Sequence, residues 1–243
     1  MAIEFTGSGD PERSMALLWR PPDTSAVRRG PRSSLAVDRI VAAAVAVADA
    51  EGLPAVSMRR LAGELGVPAM TLYSHLPGKG ELVDLMLDAV LGELYPDEQT
   101  PTTGNWRARV EAVARANRQF LLRHPWALSV APPPPGPNRM RKHEIELRAM
   151  DGMGLSEVQM DLLVTLLDGF VRGAVGGQPA LGGRTIVDTY AQQVLDRDRF
   201  PTAARVARAA EGLPVADASE RSFEFGLERL LDGIGILMLN PAR

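Results

Sequence analysis

The chain has no cysteine among its 243 residues. Disulfide frameworks, thiolate metal sites and cysteine nucleophiles are thereby excluded, and the composition fits a reducing cytoplasm. Histidine is nearly as scarce, with His75, His124 and His143 the only copies. A transition-metal site would have to be built from carboxylates, and no compact ligand spacing offers one, so neither metal nor cofactor is expected. Long apolar runs are missing too. No stretch approaches the roughly 20 residues of a bilayer span, and MAIEFTGSGDPERS lacks the basic start and apolar core of a signal peptide. The expectation is a cytoplasmic protein with no membrane partner. Phosphate loops and nucleophile elbows are also absent: GAVGG near Gly173 lacks the lysine and the preceding strand, and no serine sits in G-x-S-x-G. Nothing requires an enzyme.

What is present is a chain 45% hydrophobic, enough for a real core, with a net charge of −3. The charge is uneven. Between Ser25 and Gly80, seven Arg or Lys stand against four Asp or Glu, so that segment is +3 and the remainder −6. A basic module on an acidic body favours one docking face for nucleic acid and discourages indiscriminate binding.

The stretch Ser57 to Lys79, SMRRLAGELGVPAMTLYSHLPGK, carries the clearest pattern. Met58, Leu61, Ala62 and Leu65 recur at the three-and-four spacing of one buried helical face, with Arg59, Arg60 and Glu64 on the others. Gly66 suits the left-handed backbone that closes a helix, and Val67 can pack into the angle that follows. Pro68 suits the first turn of a second helix, where its missing N–H has no helical partner. Two helices joined by three or four residues make a helix-turn-helix, with roughly Pro68 to His75 as the recognition helix. Thr71 can bond a base or phosphate, Ala69 and Met70 can pack on a thymine methyl, Lys79 supplies a phosphate charge, and Arg59 can pair with a guanine. Leu72 and Leu76 read as core. Upstream, Asp23 to Ser34 is a polar linker whose Arg28, Arg29 and Arg32 suit phosphates or a minor groove, or stay solvated.

Helices flank this unit. Asp10-Pro11-Glu12 reads as a helix start leading into SMALLWR, with Leu17, Leu18 and Trp19 expected to dock. Asp38 to Glu51 is a bracing helix with Ile40, Ala44, Val47 and Ala48 inward and Gly52 as its stop. Gly80 to Leu94 is another, with Leu82, Leu85, Met86, Ala89 and Val90 apolar and Glu81, Asp84, Asp88 and Glu93 outward. It connects the DNA-binding module to the body ahead of a Pro- and Thr-rich break at Tyr95 to Gly104. Beyond the break, Trp106, Val110, Val113, Asn117, Phe120 and His124 fall on one side of a helix. Asn117 and His124 either mark a ligand pocket or are structural polar groups satisfied within the fold. With Trp106, Phe120, Trp126, His143 and Phe170 they form the candidate ligand-binding set. Ser156 caps a wide-faced apolar helix running to Gly173 or beyond. The segment 219–239 has Phe223, Leu227, Leu230, Ile234 and Leu237 on one stripe, with Gly226 and Gly233 placed for close helix approach. Helices about 156–175 and 219–239 are the expected homodimer contact. No period-two strand segment occurs, and the chain reads as all-α.

The run L-A-x-E-L-G-V-P-A-M-T-L-Y-S-H-L-P-G-K-x-E-L, Leu61 to Leu82, closely resembles the DNA-binding signature of the tetracycline-repressor (TetR) family. W-R-x-R-V at Trp106, R-H-P-W at Arg123 to Trp126 and F-E-F-G-L-E-R-L-L-D-G-I at Phe223 to Ile234 look like its C-terminal domain. The resemblance covers most of Ser34 to Leu239. It implies an N-terminal three-helix DNA-binding domain, a larger helical ligand-binding and dimerisation domain, and a homodimer closed by a four-helix bundle. By position, Arg59, Ala69, Met70 and Thr71 fall where family members touch bases. Tyr73, His75 and Lys79 fall where they touch the backbone or brace the helix, and Ser74 stands where some members carry an aromatic.

The expectation is thus a dimeric, ligand-responsive transcriptional regulator, a repressor released from a palindromic double-stranded DNA operator by a small hydrophobic effector. A helical small-molecule-binding protein or enzyme retaining the motif as scaffold is the competing reading. The expected divisions are an extension with a short helix and basic arm over 1–34, the helix-turn-helix domain over 35–82, and the ligand-binding and dimerisation domain over 83–243.

Overall fold

A computed structural model describes residues 10–21, 37–97, 101, 103–130, 134–176, 199–210 and 215–239. Among these the protein is helical throughout, with no strand. The helices are α1 (Pro11–Leu18), α2 (Val37–Glu51), α3 (Met58–Leu65), α4 (Ala69–Tyr73), α5 (Lys79–Leu91), α6 (Trp106–Arg123), α7 (Pro137–Met150), α8 (Glu157–Gly176), α9 (Pro201–Ala210) and α10 (Val215–Leu239). They group into two compact units, Met1–Thr165 and Leu166–Arg243.

The reading head is built from α2, α3 and α4. Ile40, Ala44, Leu61, Leu72 and Leu76 are its fully buried side chains, as the helical spacing requires. Ser57 caps α3 by accepting the Arg60 N–H, which is worth about 1 kcal/mol. Gly66 ends it at φ 66, and the Val67 N–H closes back on the Ala62 carbonyl. The second helix is shorter than the expected Pro68 to His75: it spans Ala69 to Tyr73, with Pro68 as its extended N-cap. Its end is a tightened turn, in which the His75 and Leu76 N–H groups both close on the Leu72 carbonyl, at 3.0 and 2.9 Å.

The acidic side of α5 differs from the sequence expectation. Glu81, Asp84 and Asp88 were expected to face outward, yet all three are buried, while Ala89 is exposed. Two neighbours cover them. Helix α1 lies along α5, where Ser14 Oγ donates to Asp84 Oδ2 at 2.7 Å and the Asp10 N–H donates to Glu81 Oε1 at 3.0 Å. Leu18 is buried beside them as expected, whereas Trp19 stays half exposed and donates its indole N–H to the Pro135 carbonyl at 2.9 Å. Asp88 takes the other end. It accepts the Arg139 N–H at 3.0 Å and the Asn138 N–H at 3.4 Å, capping α7 from outside because the N-cap, Gly136, has no side chain to do so. Burial pushes the Asp88 carboxyl above its ordinary value, and these backbone donors hold the rise back.

In the rest of this unit α6 packs on α7 over Val110, Val113, Ala114, Ile145 and Ala149. Ser156 caps α8 in a reciprocal box, its hydroxyl accepting the Gln159 N–H while the Gln159 amide accepts the Ser156 N–H.

In the second unit Phe170 of α8 stacks on Phe223 of α10 at 5.5 Å between centroids. The buried stripe of α10 is Phe223, Leu227, Leu231 and Ile234; Leu230 and Leu237, placed on it by spacing, are only half buried. Of the two glycines expected to admit a close neighbour, Gly226 does so, because a Cβ there would stand 2.5 Å from the Phe170 ring. Gly233 has nothing within 4 Å of that position among the described residues.

Candidate functional site

On the reading head, α4 presents Met70 and Tyr73 to solvent at 76% and 48% exposure. Ala69 and Thr71 are half buried on the same short helix. Ser74 spends its hydroxyl on the Thr71 carbonyl at 2.7 Å, which leaves it a poor donor to a groove. His75 follows, half buried in the turn. Arg59 is exposed in the first turn of α3 and makes no ion pair with any described residue, while the adjacent Arg60 is held by Glu64 at 2.9 Å and Glu51 at 2.8 Å. Only the first is placed to reach outward at no cost in broken pairs. Lys79 opens α5. A lysine at a helix N-terminus is set against the dipole, an arrangement that a phosphate at the same end turns favourable. Arg28, Arg29 and Arg32 lie outside the described residues.

The candidate ligand residues do not share one place. Phe120 and His124 line a cleft of about 320 Å³ between α6 and the segment after α5, together with Glu93, Tyr95 and Arg123. Asn117 lies behind it in a closed network. Its amide nitrogen shares two N–H donors among Glu146 Oε1 at 2.6 Å, the Val113 carbonyl at 3.0 Å and the Tyr95 hydroxyl at 3.0 Å. Tyr95 donates to Glu146 Oε1 at 2.7 Å, and Lys142 neutralises Glu146 from the next turn of α7 at 2.8 Å. Asn117 is thus satisfied within the fold. Trp126 is buried with its indole N–H 2.7 Å from Asp49 Oδ1.

Trp106, His143 and Phe170 do not line the cleft. Trp106 is half buried at the start of α6, His143 sits 3.5 Å from Asp161 of α8, and Phe170 belongs to the second unit.

Sequence reasoning missed Tyr95, Glu93, Asp49 and Glu146. Tyr95 stands at φ 56, a left-handed backbone unusual for an aromatic, and Arg141 clamps it by donating to the Leu94 and Tyr95 carbonyls at 3.2 and 2.8 Å. Nothing in a Pro- and Thr-rich break announces that geometry. The Lys142-Glu146 spacing of four residues was the one legible sign of a pair.

The profile described as "Bacterial regulatory proteins, tetR family" matches residues 40–86, and "Tetracyclin repressor-like, C-terminal domain" matches residues 98–237. The chain belongs to the TetR family. It is a ligand-responsive, DNA-binding transcriptional regulator of the repressor type, and the family dimerises. The HTH-type transcriptional repressor DrrR1 of Streptomyces coeruleorubidus is 40% identical over 98% of this chain and 90% of its own length. An HTH-type transcriptional regulator of Saccharopolyspora erythraea is 35% identical over 67% of each chain. Among solved structures, apo ActR of Streptomyces coelicolor superposes with a TM-score of 0.72 at 32% identity, covering 86% of this chain and 99% of ActR. ActR has also been solved with actinorhodin, at a TM-score of 0.68 and 33% identity over 85% of this chain and 96% of that one. In this TetR-family chain no helix among the described residues is long and apolar enough to cross a membrane.

Proposed function

We propose that two copies of this TetR-family protein hold their α4 helices about 34–36 Å apart, the spacing of successive major grooves, and read a palindromic operator. The observation that carries the reading is the exposed apolar pair Met70 and Tyr73 on α4 beside the outward Arg59. An exposed methionine does nothing for the head's own core, yet it suits a thymine methyl, and an arginine with no ion pair among the described residues suits a guanine edge. Ala69 and Thr71 complete the base-facing set, with His75 and Lys79 on the backbone. Released on operator loss, such a protein acts as a regulator rather than as an enzyme.

The cleft at Tyr95, Phe120 and His124 is the candidate effector site. Its Leu94, Pro96, Ala116 and Phe120 lining is apolar, with Gln119, Glu93 and Arg123 as polar groups, which fits a small, largely apolar molecule. The complex of ActR with actinorhodin supports a small-molecule effector for this chain as well. For the dimer, α8 leaves Val158, Leu162 and Leu166 exposed at 69%, 60% and 53%, four residues apart on one stripe. On α10, Phe225, Ile236 and Leu239 are exposed on one side. Apolar stripes of this kind support a second copy packed on helices 156–175 and 219–239.

The test is selection of a duplex from a random library by purified protein, followed by binding at increasing salt. An inverted repeat with a steep salt slope is expected. Equal affinity for the selected and random duplexes at every salt concentration sinks the reading. Titrating apolar ring compounds into the complex then identifies the effector by release of the duplex.

A further inference from the structure

The cleft wall and the reading head meet at one contact. Asp49 of α2 turns Oδ1 toward the body, where it accepts the Trp126 indole N–H at 2.7 Å and lies 2.8 Å from His124 Nδ1. A carboxylate can only accept, so Nδ1 carries the proton of this pair. The opposite ring nitrogen, Nε2, stands 3.4 Å from Glu93 Oε2. The ring is buried, lies 5.5 Å from the Phe120 centroid and forms part of the cleft wall. His124 therefore touches the DNA-binding module with one edge and the candidate effector cleft with the other. Its backbone is stiff: it ends α6 at φ −121 and ψ 67 and precedes Pro125, which restricts it further.

We propose that His124 is the positioning residue through which cleft occupancy reaches the DNA-reading head, with Asp49 as its receiver; the inference rests on the reading of that cleft as the effector site. A molecule seated against Phe120 has to share space with the imidazole. A hydrogen bond of 2.8 Å weakens steeply with misalignment, so a modest ring rotation loosens the Asp49 contact. Asp49 is not stranded by this loss, because Trp126 still donates to the same oxygen. The joint can thus change its arrangement while the Asp49 carboxylate keeps a donor, which a switch requires. Asp49 rides on α2, which packs directly on α3, so a change at its carboxylate is passed to the head.

Coupling is reciprocal, so duplex binding must register at His124 even with the effector unidentified. The charged groups facing the ring are Asp49 from α2, Glu93 after α5 and Arg123 of α6, which pairs with Glu93 at 3.3 Å. The experiment follows the ring resonances of His124 and the indole N–H of Trp126 by NMR in the full chain, with the His75 and His143 ring signals assigned separately. The probe is the selected inverted-repeat duplex, from pH 5.5 to 8.5. Duplex binding is expected to shift both signals, and duplex affinity measured across that range to depend on pH. Asp49→Asn keeps an acceptor for Trp126 and is expected to flatten that pH dependence; a merely structural Asp49 would change thermal stability and leave the pH profile alone. His124 ring and Trp126 indole signals that are the same in free and duplex-bound protein overturn the proposal, and this measurement needs no Asp49 variant to fold. Ala116→Trp, which fills the cleft, separates the two readings. It is expected to weaken duplex binding at least threefold with Asp49 present and not with Asp49→Asn. If the His124 ring signals move on duplex binding but Ala116→Trp is silent, the cleft is not the effector site and the link between His124 and the head stands.

Discussion

Ser14 Oγ donates to Asp84 Oδ2 at 2.7 Å across 70 positions of sequence, with both residues fully buried. Hydrogen bonds to charged groups contribute about 1.5–3 kcal/mol, and their loss leaves a buried acceptor poorly served. Ser14→Ala is therefore expected to lower unfolding stability by about that amount, measured by urea denaturation. An unchanged midpoint would show that α1 does not hold α5.

Asp88 links α5 to the N-terminus of α7 at a cost that depends on pH. Burial raises its pKa above the ordinary 3.8. Between the unfolded and folded values the native state holds more protons than the unfolded chain, so this group's contribution to stability falls as pH rises through that window. Asp88→Asn removes the dependence. Its stability relative to the wild type is expected to improve as pH rises from below 3.8 through the raised value, which thermal melts at several pH values can check. A constant difference between the two proteins across the window would contradict it.

On the head, Arg59 and Ser74 are expected to behave oppositely. Arg59→Ala should weaken binding to the selected duplex by about 5- to 150-fold, the equivalent of about 1–3 kcal/mol for a lost base contact. Ser74→Ala should leave affinity within about twofold, because the hydroxyl is already bonded to the Thr71 carbonyl. Fluorescence anisotropy decides both. Equal losses in the two variants would mean that Ser74 leaves its own helix to meet DNA.

The two glycines of α10 give a contrast in packing. Gly226→Ala drives a methyl into the Phe170 ring and should cost about 1–3 kcal/mol in denaturant unfolding. Gly233→Ala meets no described neighbour, and the gain in helix propensity, up to about 1 kcal/mol, should dominate the subunit's own stability. If Gly233→Ala instead raises the dimer dissociation constant in sedimentation, the neighbour at that position comes from the second copy.

The head was legible because its information is local. The spacing of Ile40, Ala44, Leu61 and Leu72, together with Gly66 and Ser57, specifies α2 to α4 within forty or so residues, and periodicity reports that range well. The acidic face of α5 was not legible, since outward and buried carboxylates look alike until the covering helix is placed, and α1 lies about seventy positions away. The same limit applies to the cleft. Helical phase brought out Phe120 and His124, but Glu93 and Tyr95 come from another segment, as does Asp49 behind the cleft wall, and no spacing within α6 could name them. Asn117 was flagged by the same phase, and its partners, Tyr95 and Glu146, turn out to be protein groups.

The fastening of α1 also sets an order of assembly. Contacts within the head join residues close in sequence and can close as soon as they leave the ribosome, whereas Ser14 waits 70 positions for Asp84, Asp10 waits 71 for Glu81, and Trp19 waits 116 for the Pro135 carbonyl. Closing such loops costs chain entropy before any contact repays it. Helix α1 is thus locked only after the reading head that follows it in sequence, and a nascent chain can carry a folded head before the joint that ties it to the body exists.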